Sequence, residues 1–511
     1  MGNFEDPFTG YSTLLRIIIF GAVPAFTILQ YFRLRRALHV FQLEGYKRDR
    51  FLRWCRANRA RARWLRDAPQ KKPLVMTGRA WRLLVSSLVL TPLLILAATG
   101  VAHIALGGWP IDVITWASAT VVLFIGTSRF LVLVDMLLAP VQRAINERYL
   151  RGARRRLEQI SPLVIGVTGS FGKTSTKFAI EGLVGPRGSA LATPGSYNTP
   201  LGVCRTINAS LAPEHRFFVV EMGAYREGEI AELCDFVHPS IGVLTAIGPA
   251  HLERFGSLEA IRRAKYEIVT SLPAGGTAVM NVDDAEVRAL ADRTSIVRVV
   301  RYGIDPAGAP DITAVDVGTT SEGTNFTLVE AASGDSVSVS TRLLGRHSVG
   351  HVLAGVAVAR VAGRPLADLG DAIASLKPVE HRLQLIEGAG GVIVIDDAFN
   401  SNPEGAAAAL EVLEQMPAGK KIVVTPGIIE LGEMQVEANR SFGRRASEVA
   451  DVLIVVARPN REAIRAGADG GRAEVVAVDS LADATTRLAG LLKPGDAVLF
   501  ENDLPDQYEG P

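Results

Sequence analysis

The sequence predicts an α/β protein in which N-terminal transmembrane helices precede two soluble domains. Three observations support this fold class: long apolar runs before residue 140, short apolar segments that alternate with helix-length segments from Leu163 onward, and a glycine turn between a predicted strand and a predicted helix. At 511 residues the chain is long enough for two or three domains. The predicted divisions are a membrane region at 1–160, a central domain at 161–377 and a C-terminal domain at 378–511.

Charge and cysteine content narrow the class of protein. The formal net charge is only +2, but residues 33–82 carry sixteen Lys or Arg against three acidic residues. Cys55, Cys204 and Cys234 lie far apart without metal-ligand spacing, so neither a disulfide framework nor a zinc site is predicted. A reduced, cytosolic environment is therefore expected for most of the chain.

Three apolar segments are predicted to cross a membrane as helices. Residues 83–106 form a run of 24 residues without Asp, Glu, Lys or Arg, and a bilayer requires about 20. The other two segments are 113–134, which contains Arg129, and 13–32, which contains Pro24. A buried core helix is the alternative for each segment, but 24 residues is long for one.

The distribution of basic residues predicts the orientation. Cytoplasmic loops carry an excess of Lys and Arg, so the basic loop 33–82 and the arginine-rich segment after the third span are expected in the cytoplasm. The protein is accordingly expected to be multi-pass in the cell (inner) membrane, with cytoplasmic soluble domains. Flanking spans make anionic membrane lipid, and not nucleic acid, the expected partner of the basic loop.

The soluble part shows two separate strand and helix alternations. From Leu163 the predicted strands LVIGVTG, SALATP, FFVVEMG, IGVLTAIG and GTAVMNVDD indicate a mostly parallel sheet with helices on both faces. Residues 310–344 alternate with period two and predict added antiparallel strands. Beyond a boundary near Leu376–Val379, GVIVIDD, KIVVTPG, DVLIVV, AEVVAV and AVLFEN predict a smaller α/β domain.

Residues 163–177, LVIGVTGSFGKTSTK, have the layout of a phosphate-binding loop. Backbone N–H groups of the loop and of the helix N-terminus point at an anion, Lys173 supplies a charge for the outer phosphates of ATP, and Thr174 supplies a hydroxyl for Mg²⁺. The strict pattern requires glycine where this chain has Val167. The predicted nucleotide-binding residues of the loop are Thr168, Gly169, Ser170, Gly172, Lys173, Thr174 and Ser175.

Three further residues are candidates for the same site. Glu221 ends the predicted strand FFVVEMG, where a carboxylate beside a phosphate loop is well placed to hold magnesium. His251 follows the strand IGVLTAIG in a Gly-Pro loop, where a neutral imidazole can ligate a metal. The ordinary alternatives are an exposed glutamate and a structural histidine. Lys265 by composition is a helix-face lysine.

In combination, the segments TGSFGKTST, EMGAYREGEIAELC, TAIGPAHLERFGSLEAIRRAKYEI, LGRH and IDDAFNSNP resemble the Mur ligases over roughly residues 160–500. Within that family the chain is most similar to the branch that adds D-alanyl-D-alanine to a muramyl tripeptide. The resemblance implies a P-loop central domain and a Rossmann-like C-terminal domain. It also implies an ATP-dependent ligase in which an acyl phosphate forms on a carboxylate and is attacked by an amine.

The resemblance assigns roles to individual residues. It implies catalytic roles for Lys173, Lys265 and His251, with Lys265 at the position that is carbamylated in many members. The implied metal set is Thr174, Glu221, His251 and Lys265. Implied nucleotide contacts outside the loop are Asn281, Arg382 and Asp397, and implied substrate-side residues are Asn198, Asn400 and Asn402.

The chain also departs from the family pattern. Ser348 replaces an asparagine, Phe399 replaces a tyrosine, and a Lys-Gly-Ser-Arg-like stretch is replaced by an acidic one at Glu501. Predicted membrane spans stand where the family has a UDP-binding domain. The expected acceptor is therefore a small-molecule or lipid-linked carboxylate, and the expected donor is an amino acid or a dipeptide.

Three alternatives to this interpretation remain at the level of sequence. One is a membrane-bound ligase similar to the poly-γ-glutamate synthetase subunit. The others are a P-loop ATPase that drives transport, and a scaffold derived from a ligase.

Overall fold

The structure is a computed structural model that describes residues 9–59, 73–106, 109–320, 323–399, 401–456 and 458–503. The chain forms two compact units, Met1–Arg148 and Tyr149–Pro511. The sequence-predicted divisions at 160 and 377 stay predictions.

The first unit is built from helices in its described part. Leu38, Phe41, Leu84 and Leu131 form its buried core. Apolar side chains also cover its outer face, where Ile104 is 87% exposed. The helices are α1 Thr9–Leu43, α2 Arg48–Ala57, α3 Gly78–Leu106, α4 Trp109–Ile125 and α5 Thr127–Ile160, the last of which continues into the second unit.

One described helix, α3, is long and apolar enough to cross a membrane, and the bent pair of α4 and α5 would make a second candidate. The predicted span 83–106 lies within α3, and the predicted span 13–32 lies within α1. The predicted span 113–134 falls on two helices, α4 and α5, which are bent by 83° at Gly126, and its crossing of a membrane stays a prediction. Beside the break, the Thr127 hydroxyl donates to the Phe124 carbonyl at 2.8 Å and so competes for a helix acceptor.

The second unit contains a nine-stranded central sheet in the order β2-β3-β1-β4-β5-β6-β7-β8-β9. Its pairs are parallel from β2 to β7 and antiparallel from β7 to β9, as the sequence predicts for residues 310–344. The strands are β1 Leu163–Thr168, β2 Ala190–Ala192, β3 Phe217–Glu221, β4 Ile241–Leu244, β5 Thr277–Asn281, β6 Arg298–Tyr302, β7 Ile312–Thr320, β8 Gly323–Glu330 and β9 Ser336–Thr341.

Helices cover both faces of the central sheet. Alternate residues of β1 enter different hydrophobic clusters, with Ile165 and Val167 on one face and Val164 on the other. Ala153 and Leu157, near the end of α5, pack into the second cluster. The helices are α6 Lys173–Leu183, α7 Pro200–Ser210, α8 Glu229–Val237, α9 Leu252–Phe255, α10 Leu258–Thr270, α11 Ala285–Arg293, α12 Arg346–Val361 and α13 Gly370–Ala374.

A six-stranded sheet follows in the order β10-β11-β15-β12-β13-β14, parallel except for its edge strand β10. Its strands are β10 Gln384–Glu387, β11 Ile393–Asp397, β12 Lys421–Thr425, β13 Val452–Val456, β14 Glu474–Val478 and β15 Ala497–Glu501. Its helices are α14 Pro403–Gln415, α15 Gln435–Val449, α16 Arg461–Ala468 and α17 Leu481–Ala489. The predicted α/β fold class is confirmed, although strands β6 and β10 were not predicted from the sequence.

Candidate active site

The phosphate loop lies at the carboxyl end of β1, between β3 and β4 in the sheet. Gly169 has a φ of 157°, and a Cβ there would lie 2.0 Å from Thr245 Oγ1. Gly172 has a φ of 79°, and a Cβ there would lie 2.9 Å from His351 Cε1. Both positions therefore require glycine, because the backbone is left-handed and closely approached by other side chains.

Lys173 lies in the loop as the sequence predicts. Its ammonium donates to the carbonyl oxygens of Gly169 at 2.7 Å and Ser170 at 3.1 Å. Burial lowers the pKa of Lys173 to about 8, with Glu221 opposing that shift and Arg382 adding to it. The cation thus sits inside the loop, where it can meet an incoming phosphate.

The remaining loop side chains anchor the loop to the sheet. The Thr168 hydroxyl donates to the Met222 carbonyl at 2.9 Å. The Ser170 hydroxyl bonds the backbone of Gly248 in both directions at 3.0 Å. Ser175, in the first turn of α6, is half-buried. Nucleotide contacts from this loop are therefore left chiefly to backbone N–H groups and to Lys173.

Glu221, at the end of β3, is the hub of the site. Its Oε2 accepts from the Thr174 hydroxyl at 2.9 Å and from the Lys177 ammonium at 3.1 Å. Its Oε1 accepts from Asn198 Nδ2 at 3.1 Å. Lys177 also donates to the Gly195 carbonyl at 2.6 Å. The predicted substrate-side loop is therefore linked to Glu221 directly through Asn198 and indirectly through Lys177.

The pair Thr174 and Glu221 fits a magnesium ion. A hydroxyl and a carboxylate are the hard oxygen ligands that Mg²⁺ prefers, and they already lie within hydrogen-bond distance. Over the described residues there is no group of three or more His, Cys, Asp or Glu that could hold a metal. The chain would therefore supply part of a coordination sphere that nucleotide phosphates and water complete.

Lys265, on α10, is buried and electrostatically close to the phosphate loop. The pKa of Lys265 is lowered to about 7, chiefly by burial and also by the charge of Lys173. The nearby carboxylates oppose this shift; they are Glu229, Glu267 and Glu221. A large fraction of this lysine is thus a neutral amine near pH 7. Sequence composition alone did not distinguish it from an ordinary helix-face lysine.

His251 is hydrogen-bonded to Glu430, which is not one of the predicted metal ligands. Its Nδ1 bonds Glu430 Oε2 at 2.5 Å, and Arg254 bonds the other oxygen of that carboxylate at 2.7 Å. The structure therefore brings Thr174 and Glu221 into direct contact, while His251 pairs with a loop residue of the C-terminal domain. Glu430 was missed because it follows His251 by 179 positions.

The predicted nucleotide contacts outside the loop lie around its rim. Asn281 Nδ2 donates to the Thr245 carbonyl at 2.8 Å, so its side chain shapes the neighbouring loop. The Arg382 guanidinium lies 4.9 Å from the centre of the Phe399 ring. Burial raises the pKa of Asp397 to about 6 against the pull of Arg382, which places the two near each other.

The predicted substrate residues differ in what the structure assigns to them. Asn198 contacts Glu221, as described above. Asn402 caps helix α14, where its Oδ1 accepts from Gly405 N at 3.0 Å. Asn400 lies outside the described residues.

Two residues in contact with the site were not predicted. Lys177 is fully buried on Glu221, and its place one turn after Lys173 was the available signal. His351 bonds the Thr176 hydroxyl through Nδ1 at 3.0 Å. Burial lowers the pKa of His351 to about 3, so a neutral imidazole packs against the phosphate loop.

Comparison with known families identifies both soluble domains. Residues 167–359 match the Mur ligase middle domain, and residues 381–501 match the Mur ligase, glutamate ligase domain. The UDP-N-acetylmuramoyl-tripeptide–D-alanyl-D-alanine ligase of Synechocystis is 32% identical over 343 residues, which is 66% of this chain and 71% of that relative. The enzyme of the same name from Escherichia coli is 36% identical over 275 residues, which is 54% of this chain and 60% of that relative.

Solved structures agree with these matches. MurF from Acinetobacter baumannii is similar with a TM-score of 0.64 at 27% identity, over 71% of this chain and 78% of the other. MurF ligase from Thermotoga maritima in complex with ADP is similar with a TM-score of 0.62 at 30% identity, over 70% of this chain and 80% of the other.

Proposed function

The chain belongs to the Mur ligase family, whose members are ATP-dependent ligases of cell-wall synthesis, and from that premise we propose that it joins a carboxylate to an amine at the cytoplasmic face of a membrane. The observation that carries the proposal is the contact between Thr174 and Glu221 beside the phosphate loop. A hydroxyl, a carboxylate and a buried lysine at a helix N-terminus are the groups that phosphoryl transfer requires.

The chain's own residues perform three tasks in this reaction. Backbone N–H groups of the loop and Lys173 hold the nucleotide phosphates in line with the acceptor carboxylate. Thr174 and Glu221 would hold Mg²⁺, which neutralises charge on the phosphates when it is bound. Arg382 interacts electrostatically with both Lys173 and Glu221, so it adds a second positive charge near the phosphate loop.

Lys265 has the chemistry for carbamylation. Its neutral amine nitrogen can form a bond to the carbon of carbon dioxide, with the proton leaving to solvent and a carbamate anion remaining. That change converts a buried neutral amine into an anionic oxygen ligand. The pKa near 7, caused first by burial, supports this role because the reacting form is the free amine.

The names of the relatives suggest which substrates to propose for this chain. The named relatives act on UDP-N-acetylmuramoyl-tripeptide and D-alanyl-D-alanine. We propose a muramyl peptide or a lipid-linked precursor as the acid, and an amino acid or dipeptide as the amine. A lipid-linked acid would suit a chain whose first unit exposes apolar helix faces.

The activity test uses the full-length chain in detergent with ATP, Mg²⁺ and both substrates. Phosphate release that requires the acid and the amine together would support the ligase, and Lys173→Ala should abolish it. Equal hydrolysis without either substrate would support an ATPase instead. Comparing UDP-linked with lipid-linked muramyl tripeptide decides which acid is used.

The membrane proposal has its own test. Membranes that contain the full chain are washed with alkaline carbonate and then extracted with detergent. An integral protein stays in the pellet until detergent is added. Release by carbonate alone would contradict the proposed membrane spans.

A further inference from the structure

Glu430 connects the C-terminal domain to His251, one of the predicted metal ligands. It lies in the loop after β12, and His251 lies in the loop after β4. Glu430 Oε2 is 2.5 Å from His251 Nδ1, and Glu430 Oε1 is 2.7 Å from Arg254 Nη2. One carboxylate of the C-terminal domain is therefore shared by two side chains of the central domain.

The backbone at both ends of this contact is held in an unfavourable conformation. His251 has a φ of 59° and Glu430 a φ of 64°. Non-glycine residues rarely adopt left-handed backbone, and such conformations cluster at functional sites. Both partners of this one hydrogen bond therefore have an unfavourable backbone conformation.

Packing further orients the histidine. The Tyr225 ring lies edge-on to the His251 ring, with centroids 4.9 Å apart, and the Arg254 guanidinium lies 4.3 Å from the centre of the same tyrosine ring. The His251 and Glu430 side chains are only 23% and 18% exposed. The loop that carries His251 also touches the phosphate loop, because the Ser170 hydroxyl bonds the backbone of Gly248 at 3.0 Å.

The hydrogen bond determines which imidazole nitrogen can bind a metal. An ionised carboxylate only accepts hydrogen bonds, so His251 Nδ1 carries the proton in this contact. The lone pair of a neutral His251 is then on Nε2. A carboxylate on the far nitrogen is the usual arrangement of a metal-binding histidine, where it sets the tautomer and the ring orientation.

We propose that Glu430 is a positioning residue that acts through His251, so that the metal site is complete only when the C-terminal domain is docked on the central domain. This inference rests on the proposed function and on His251 as a ligand. It makes metal affinity a property of the domain arrangement and not of the central domain alone.

The test measures metal binding without turnover. Mn²⁺ replaces Mg²⁺, and its free fraction is followed by electron paramagnetic resonance with ADP and full-length protein. Removing such a partner carboxylate typically weakens metal binding about 10-fold to 100-fold. We expect Glu430→Ala to weaken Mn²⁺ binding about 10-fold, and Glu430→Gln, which keeps an acceptor, to recover part of that loss.

Three further variants separate positioning from simple domain clamping. Arg254→Met removes the second bond to the same carboxylate and should weaken Mn²⁺ binding much less than Glu430→Ala. Glu437→Gln, an exposed glutamate on α15 that pairs with Arg440, is the matched control and should leave Mn²⁺ binding unchanged. In a His251→Ala background, Glu430→Ala should have no additional effect, because its route of action is gone.

Several outcomes would overturn the inference. They are unchanged Mn²⁺ affinity in Glu430→Ala, equal losses in Arg254→Met and Glu430→Ala, or an undiminished Glu430→Ala effect without His251. Thermal unfolding of each variant reports a structural loss separately. Failure of the ligase proposal looks different, because wild-type protein would then show no phosphate release that depends on both substrates.

Discussion

Glu221 and His251 are both predicted metal ligands, yet their surroundings are built in different ways. Every hydrogen-bond partner of the Glu221 side chain comes from residues 174–198 of the central domain. The partner of His251 comes from a loop of the C-terminal domain, 179 positions along the chain. The contacts of Glu221 thus lie within the central domain, whereas the contact of His251 joins the two domains, and we expect only the second to depend on domain docking.

The difference bears on how a ligase of this type avoids wasting ATP. An acyl phosphate is hydrolysed readily, so the site benefits if chemistry begins only after the domains exclude water. A nucleotide can bind the Glu221 side first. The docked C-terminal domain would then complete the His251 side through Glu430.

The largest expected effect comes from the Glu221 side of the site. Lys173→Ala removes the cation inside the phosphate loop and should lower substrate-dependent phosphate release about 1000-fold. Steady-state phosphate release measures it, with nucleotide binding as the second readout. A loss of less than about tenfold would mean that Lys173 does not stabilise the transferring phosphoryl group.

The next effect concerns stability. Lys177→Met leaves the buried Glu221 carboxylate without its ammonium partner and should lower the free energy of unfolding by about 3 kcal/mol. Thermal or denaturant unfolding of the full chain measures the change. Lys420→Met, at an exposed lysine, is the control and should change it little. Equal effects of the two substitutions would contradict the description of Glu221 as a prebuilt hub.

The smallest effect is a pH dependence at Lys265. Its pKa is lowered by burial from 10.5 to about 7, so between those values the unfolded chain binds a proton that the folded chain lacks. Stability should therefore rise with pH across that window, by at most about 1.4 kcal/mol per pH unit. Unfolding in CO₂-free buffer at pH 7 to 9 measures it, and Lys265→Met should have a smaller slope. Identical slopes would place Lys265 outside the buried site.

Prediction from sequence succeeded where the chemistry is local. The phosphate loop was recognisable because a strand, a glycine turn and a helix follow one another in the chain. The structure requires glycine at positions 169 and 172 of this loop. Most strands were recognisable from short apolar runs or from alternation with period two, but β6 and β10 were not. The arginine-containing β6 and the edge strand β10 lack the buried apolar pattern that marks a central parallel strand.

The apolar helices of the first unit illustrate the limit of prediction from composition. Hydropathy predicts one span over 113–134, whereas the chain bends by 83° at Gly126. A run of apolar residues indicates that the segment is in an apolar environment. Whether the segment forms one helix depends on local features, here Gly126 and the neighbouring Thr127 hydroxyl, which competes for helix carbonyls.

The sequence by itself determined the α/β class, the phosphate loop and the identity of Lys173, Thr174 and Glu221 as site residues, because these depend on neighbours within a few positions or on strand ends. Only the tertiary structure decided that Lys177 donates a hydrogen bond to Glu221, that the pKa of Lys265 is near 7, and that Glu430 is hydrogen-bonded to His251. The physical reason is that burial and long-range pairing depend on which surfaces the fold brings together.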